Sequence, residues 1–131
     1  EWEIDAVLYY YSQKAEENNI TCSFYFGNYR RGSVKHEYLG EILMLLLEES
    51  IEKNLRVEKQ ERRISLSAGT VRNQVILSLE TVGKGKFRTW KLRIFAEKHQ
   101  GLIKYKKKGN KIHVKIMIPC TECYNQKTVF E

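Results

Sequence analysis

Residues 82–88, VGKGKFR, set Lys84, Lys86 and Arg88 among two glycines, Gly83 and Gly85. Glycine lets backbone amides come close to an anion, and the cations add point charge, so this spacing suits a phosphate group. The plainer alternative is an ordinary basic turn. A second cluster lies in 37–54, EYLGEILMLLLEESIEKN, where Glu48, Glu49 and Glu52 follow an apolar run. Carboxylate oxygens are hard donors suited to Mg²⁺, and without a metal they repel phosphate. Glu41, Glu48 and Glu52 also fit a solvated helix face. Cys120 and Cys123 have the gap of paired metal-binding cysteines. A structural zinc wants a full tetrahedral set, and only Cys22 and distant histidines remain unless a neighbouring chain contributes. Two free thiols are the simpler reading. His36, His99 and His113 show no spacing with one another or with a Ser or Cys nucleophile.

Lys104, Lys106, Lys107, Lys108 and Lys111 surround Tyr105. Cations interleaved with an aromatic can grip a nucleic-acid backbone, but Lys also shields exposed strand edges. The wider charge pattern is lopsided. Residues 84–115 hold twelve Lys/Arg and one acid, Glu97, a local +11 within a chain of +7, so the remainder carries −4. This asymmetry predicts an anionic partner for the basic part: nucleotide, nucleic acid, an acidic protein or a lipid surface.

Hydrophobic periodicity supplies the elements that must position these groups. Ile4, Val7, Leu8, Tyr11 and Ala15 mark one helix face, closed by residues 16–19. ITCSFYF alternates strictly, with Ile20, Cys22, Phe24 and Phe26 on one side of a strand. Ser33 is placed to cap the helix over 37–54, and Asn54 to end it. RISLSA (63–68) and QVILSLE (74–80) alternate and form a hairpin across 69–73. Residues 89–99 form a third helix, with Leu92, Phe95, Ala96 and His99 on one face and Gly101 closing it. Residues 102–107 and 111–118 make a last hairpin across KGN. The order α β α β β α β β predicts a two-layer α/β sandwich of the α+β kind. Its sheet is mixed but mostly antiparallel, with about five strands covered on one face by three helices.

At 131 residues, 42% hydrophobic and 30% charged with a single Pro, the chain reads as a folded single domain. That domain spans 1–119, with 120–131 as a tail. The longest apolar run, 42–47, is far too short to span a membrane. The acidic start EWEIDAVLYYYSQ lacks the basic region of a signal peptide. Three cysteines fit a reducing cytosol better than a disulfide scaffold.

The motifs add a family resemblance. AVLYYYSQKAEENNITCSFYF resembles the first helix and strand of the GHKL ATPase domains, with matches at Leu8, Ala15 and Ile20 and Tyr11 where Lys is usual. LMLLLEESIEK (43–53) resembles the N-box of that superfamily and keeps Leu46, Leu47, Ile51 and Glu52. QVILSLET resembles a strand ending in "VEN", with Glu80 kept and Thr81 in place of Asn. WKLRIFAEKHQGLIKYKKKGNKIHVKIMIP resembles the closing helix and hairpin, with Glu97, Lys98, Gly101 and Pro119 kept. Over about 4–119 the chain is similar to sensor histidine kinases of the AgrC/VirS type from Gram-positive bacteria.

This resemblance implies a nucleotide site holding ATP and Mg²⁺. Its residues would be Glu49, Lys53 and Thr81 with Gly83, Lys84, Gly85, Lys86 and Arg88, and Glu49 would be the metal ligand. Glu49 stands at the N-box Asn, Leu45 at an earlier Asn and Glu48 at the Asp. Lys86, Phe87, Arg88 and Thr89 occupy the place of the glycine box, no DxGxG follows the second hairpin strand, and 81–88 is short for an ATP lid. The expectation is therefore a degenerate histidine-kinase ATPase domain with little or no hydrolysis and no catalytic residue of its own. It would signal in the cytoplasm through a kinase-dimerisation or response-regulator partner. Its phosphoacceptor histidine would lie elsewhere, and membrane contact would come only through a region N-terminal to this sequence. The alternative is a small basic module binding nucleic acid or an acidic partner.

Overall fold

The computed structural model of the chain describes residues 2–120. Cys123, half of the paired-cysteine motif, lies outside them. The elements run α1 (Trp2–Glu17), β1 (Thr21–Asn28), α2 (His36–Asn54), a 3₁₀ turn (Lys59–Glu61), β2 (Arg63–Val71), β3 (Gln74–Val82), α3 (Trp90–Lys98), β4 (Leu102–Lys108) and β5 (Lys111–Pro119). The strands form one sheet in the order β1-β2-β3-β5-β4. β1 and β2 are parallel, a pairing that needs a crossover, and α2 provides it. Every other pairing is antiparallel. The expected α+β sandwich, with a mixed five-stranded sheet and three helices, is what forms.

Alternation decides which side of the sheet is covered. Ile64, Leu66, Leu77, Leu79, Ile112, Val114 and Ile116 are buried on one face. They meet the apolar run of α2, whose Leu39, Ile42, Leu43, Leu46 and Leu47 are also fully enclosed. α2 touches α1, α3, β2 and β3, which is why its middle is apolar on several sides. The opposite face exposes Ser65, Glu80, His113, Lys115, Lys104 and Lys106. Among the described residues no helix is long and apolar enough to cross a membrane.

Several local expectations change. The first hairpin turn is only Arg72 and Asn73, because Val71 already pairs with Gln74, and Arg72 takes φ 57° to close it. Ser33 does not cap α2. Lys35 stands at the N-cap with no side-chain bond, while the buried Ser33 hydroxyl donates to the Arg30 carbonyl and meets Thr70 Oγ1 at 3.2 Å. Asn54 is not a cap either: it is the last helical residue, and Leu55 caps. At the end of α3, Gln100 takes the left-handed conformation (φ 61°) and the Gly101 amide reaches back to Ala96 O at 2.7 Å. Cys120 is buried and its amide donates to Asn73 O at 2.8 Å, so the core extends to that residue.

Candidate functional site

Helical spacing puts Glu49 and Lys53 one turn apart at the inner, C-terminal end of α2, where both are enclosed. Lys53 Nζ lies 3.1 Å from Glu49 Oε2 and 3.5 Å from Glu52 Oε1. The loop from β3 to α3 brings Arg88 to the same carboxylate from 39 residues away. The Arg88 amide donates to Glu49 Oε2 at 2.7 Å and its Nε donates to Oε1 at 3.0 Å. Its Nη2 lies 2.9 Å from Glu49 Oε1 and 2.8 Å from Glu52 Oε2. Arg56 Nη2 holds the other Glu52 oxygen at 3.0 Å. The result is one ionic chain: Lys53, Glu49, Arg88, Glu52 and Arg56.

Burial opposes ionisation of Glu49, but hydrogen bonds from the Arg88 side chain and amide and from Lys53 outweigh it, so its pKa lies below the ordinary value. The Arg88 pKa is raised, chiefly by its hydrogen bond to Glu49.

The loop itself is anchored at successive residues. Gly83 lies so close to α2 that a Cβ there would fall 2.3 Å from Lys53 Cβ and 2.8 Å from the Lys53 carbonyl carbon. Only a residue without a side chain permits this approach. The Gly83 amide donates to Asn110 O at 2.9 Å. Gly85, at φ 90°, accepts a hydrogen bond from Lys107 Nζ at 2.7 Å. Phe87 is fully buried in the core, with its ring 6.2 Å from that of Tyr105.

Of the residues expected to form a site, Glu49, Lys53, Gly83 and Arg88 come together. Lys84 and Lys86 stay exposed on the same loop. Thr81 belongs to a separate buried network. Asn54 Nδ2 donates to Thr81 Oγ1 at 2.8 Å, Thr81 Oγ1 donates to Arg63 O at 3.0 Å, and the Arg63 amide donates to Asn54 Oδ1 at 2.8 Å. This network ties the end of α2 to β2 and β3. Tyr11 donates to Glu48 Oε1 at 2.7 Å. Burial and that hydrogen bond push its pKa above the ordinary range.

Glu52, Arg56, Phe87 and Lys107 were not assigned to the site by sequence. The Glu52–Arg56 spacing of four residues was a usable signal. The partners of Phe87 and Lys107 depend on the sheet closing and left none.

A cleft of about 200 Å³ remains between α2 and the start of α3, lined by Leu45, Glu48, Glu49, Glu52, Arg88 and Trp90 among others. Small-molecule pockets usually hold about 300–1,000 Å³. The oxygens of Glu49 are committed to four nitrogens, the Arg88 amide, Nε and Nη2 and Lys53 Nζ, so the arrangement does not fit a Mg²⁺ ion. Nor is any group of three or more His, Cys, Asp or Glu among the described residues placed to hold a metal.

No protein-family model and no curated protein matches the chain. Solved structures do. The catalytic domain of histidine kinase ThkA in a nucleotide-free form superposes with TM-score 0.71 at 18% identity, covering 90% of each chain. Histidine kinase AdeS of Acinetobacter baumannii gives TM-score 0.68 at 16% identity, over 91% of this chain and 64% of that one. ThkA in complex with the response regulator TrrA gives 0.65 at 19%, over 91% and 40%. The fold of this chain is therefore that of the catalytic domains of histidine kinases.

Proposed function

We propose that this chain is a histidine-kinase-type ATPase domain of the AgrC/VirS kind that has given up nucleotide chemistry and acts in two-component signalling through protein contacts. The observation that supports this most is the state of Glu49. The resemblance assigns a Mg²⁺-binding Asn to that position. Here it carries a buried carboxylate neutralised by the chain's own Arg88 and Lys53.

Phosphoryl transfer depends on cations and a metal positioned around the γ-phosphate. In this chain Arg88 and Lys53 are engaged by Glu49 and Glu52 instead. Phe87 fills the core at the place the resemblance assigns to the glycine box. The neighbour solved with a response regulator suggests the partner class, a response-regulator-type or kinase-dimerisation protein met in the cytoplasm.

Thermal unfolding with and without Mg-ATP tests the reading. A ligand present at a hundred times its Kd adds about 2.7 kcal/mol of stability. The midpoint is expected to stay unchanged at millimolar Mg-ATP, and a rise of several degrees would overturn the proposal.

A further inference from the structure

The second face of the sheet carries a feature that the nucleotide reading does not use. On the β4–β5 hairpin Lys104 stands opposite Lys115, Lys106 opposite His113, and Lys108 opposite Lys111. All six are exposed. Lys107 lies on the other side and bonds Gly85, so alternation separates the two sets. Like charges directly across a strand pair are destabilising. Edge protection accounts for lysines on β4, which is an edge strand. It does not account for Lys111 and Lys115 on β5, which lies inside the sheet.

This ladder is bordered by two depressions. One, of about 330 Å³, is lined by Ser78, Lys104, Lys106, His113 and Lys115. The other, of about 570 Å³, is lined by Arg63, Lys108 and Lys111 over Val57 and Val82. Two acids border them, Glu80, whose Oε1 lies 3.7 Å from His113 Nδ1, and Glu61. The rest of the polar lining is lysine, arginine, histidine, hydroxyl or amide.

The row that holds Lys104 and Lys115 continues through Ser78 and Ser67 to Tyr25 on β1. The Tyr25 ring lies over Gly27, where an added Cβ would fall 2.8 Å from its Cζ, and the side chain is 57% exposed. A glycine beneath it leaves room for the ring to lie along the strand. At about 4.8 Å per strand, Tyr25 stands about 14 Å from Lys115 across a floor of serines.

We infer that this open sheet face binds single-stranded nucleic acid, with phosphates on the Lys104–Lys115, Lys106–His113 and Lys108–Lys111 rows and a base on Tyr25. Each row carries at least one lysine, and rows about 7 Å apart along the strands suit a polymer of repeating anions. An exposed aromatic offers a π-face that any base can stack on. An acidic peptide would satisfy the lysines but has no use for that platform.

Fluorescence anisotropy with a labelled oligothymidylate and its ribonucleotide counterpart tests this. With about four phosphates engaged, affinity should fall about 50-fold between about 50 and 200 mM salt. Lys104→Glu combined with Lys115→Glu should weaken binding about ten-fold or more and flatten that salt dependence. Tyr25→Ala should weaken oligonucleotide binding about five-fold or more while leaving heparin binding unchanged. Lys98→Glu, on α3, should change neither. Circular dichroism confirms that each variant is folded, which the exposure of these side chains favours. Three results would overturn the inference: no oligonucleotide binding at low salt, binding indifferent to the paired Lys→Glu changes, or tighter binding to oligoglutamate or phosphatidylserine vesicles than to either oligonucleotide.

Discussion

Arg88 meets the Glu49 carboxylate with its backbone and its side chain together, through the amide at 2.7 Å, Nε at 3.0 Å and Nη2 at 2.9 Å. A side chain alone can swing away. An amide bond fixes the path of the chain, so this pairing sets where the loop runs as well as where the charge sits.

Removing the carboxylate should therefore disturb both. Glu49→Ala leaves Lys53 buried with only Glu52, at 3.5 Å, to balance it. Breaking an enclosed pair from one side is costly because the remaining charge stays desolvated. With Arg88 reaching solvent, the expected loss is about 2–3 kcal/mol in urea unfolding. Double substitution with Lys53→Met should recover part of it, and a double variant no better than Glu49→Ala alone would contradict the pairing.

Acid should reveal the same group. The folded pKa of Glu49 is depressed, so its contribution is fully present above the unfolded carboxylate value of about 4.3 and is lost as pH falls through the lower folded value. The wild-type melting temperature should drop more steeply below about pH 4 than that of Glu49→Gln. Parallel acid limbs would show that the carboxylate is not held as described.

Phe87 anchors the loop from the apolar side. It is 1% exposed, and Phe87→Ala should cost about 3–5 kcal/mol, as expected for emptying a large core site. A loss under about 1 kcal/mol in the same unfolding assay would mean that the ring is not part of the core.

Gly83→Ala tests the approach of the loop to α2. A methyl group would have to displace Lys53 Cβ and its backbone, so destabilisation of about 1–3 kcal/mol is expected. Amide exchange in residues 83–88 should quicken in this variant, and unchanged exchange would place the loop elsewhere.

Asn54→Ala removes the bridge between α2 and the β2–β3 hairpin. It leaves the Arg63 amide without its acceptor and Thr81 Oγ1 without a donor, for an expected loss of about 1–3 kcal/mol. Asn54→Asp should not rescue it, because the buried carboxylate would face the Ser50 carbonyl and a Thr81 hydroxyl that already donates to Arg63 O; full recovery of stability in that variant would contradict the network.

Much of the fold was legible because alternation and helical spacing are local. The α2 run and the two hairpins announce themselves in single windows of residues. The parallel pairing of β1 with β2 was not announced, since it depends on α2 folding back across the sheet. The site was only half legible. Glu49 and Arg88 were both marked for their chemistry, as a metal ligand and a phosphate ligand, but nothing local shows that each is the other's partner across 39 residues. Ser33 and Asn54 misled for a related reason. Both are residue types that cap helices, but the Ser33 hydroxyl is taken by the nearby Arg30 carbonyl, with Thr70 beside it, and Asn54 bridges Thr81 and Arg63.

The central claim is that Glu49 is already saturated by the chain's own cations, leaving no place for a metal–nucleotide. Calorimetric titration of the wild-type chain with Mg-ATP tests it most directly. The account predicts no saturable heat at millimolar nucleotide, in wild type and in Lys84→Ala alike. A saturable isotherm with a low-micromolar Kd, dependent on Mg²⁺ and abolished by Glu49→Ala, would contradict it.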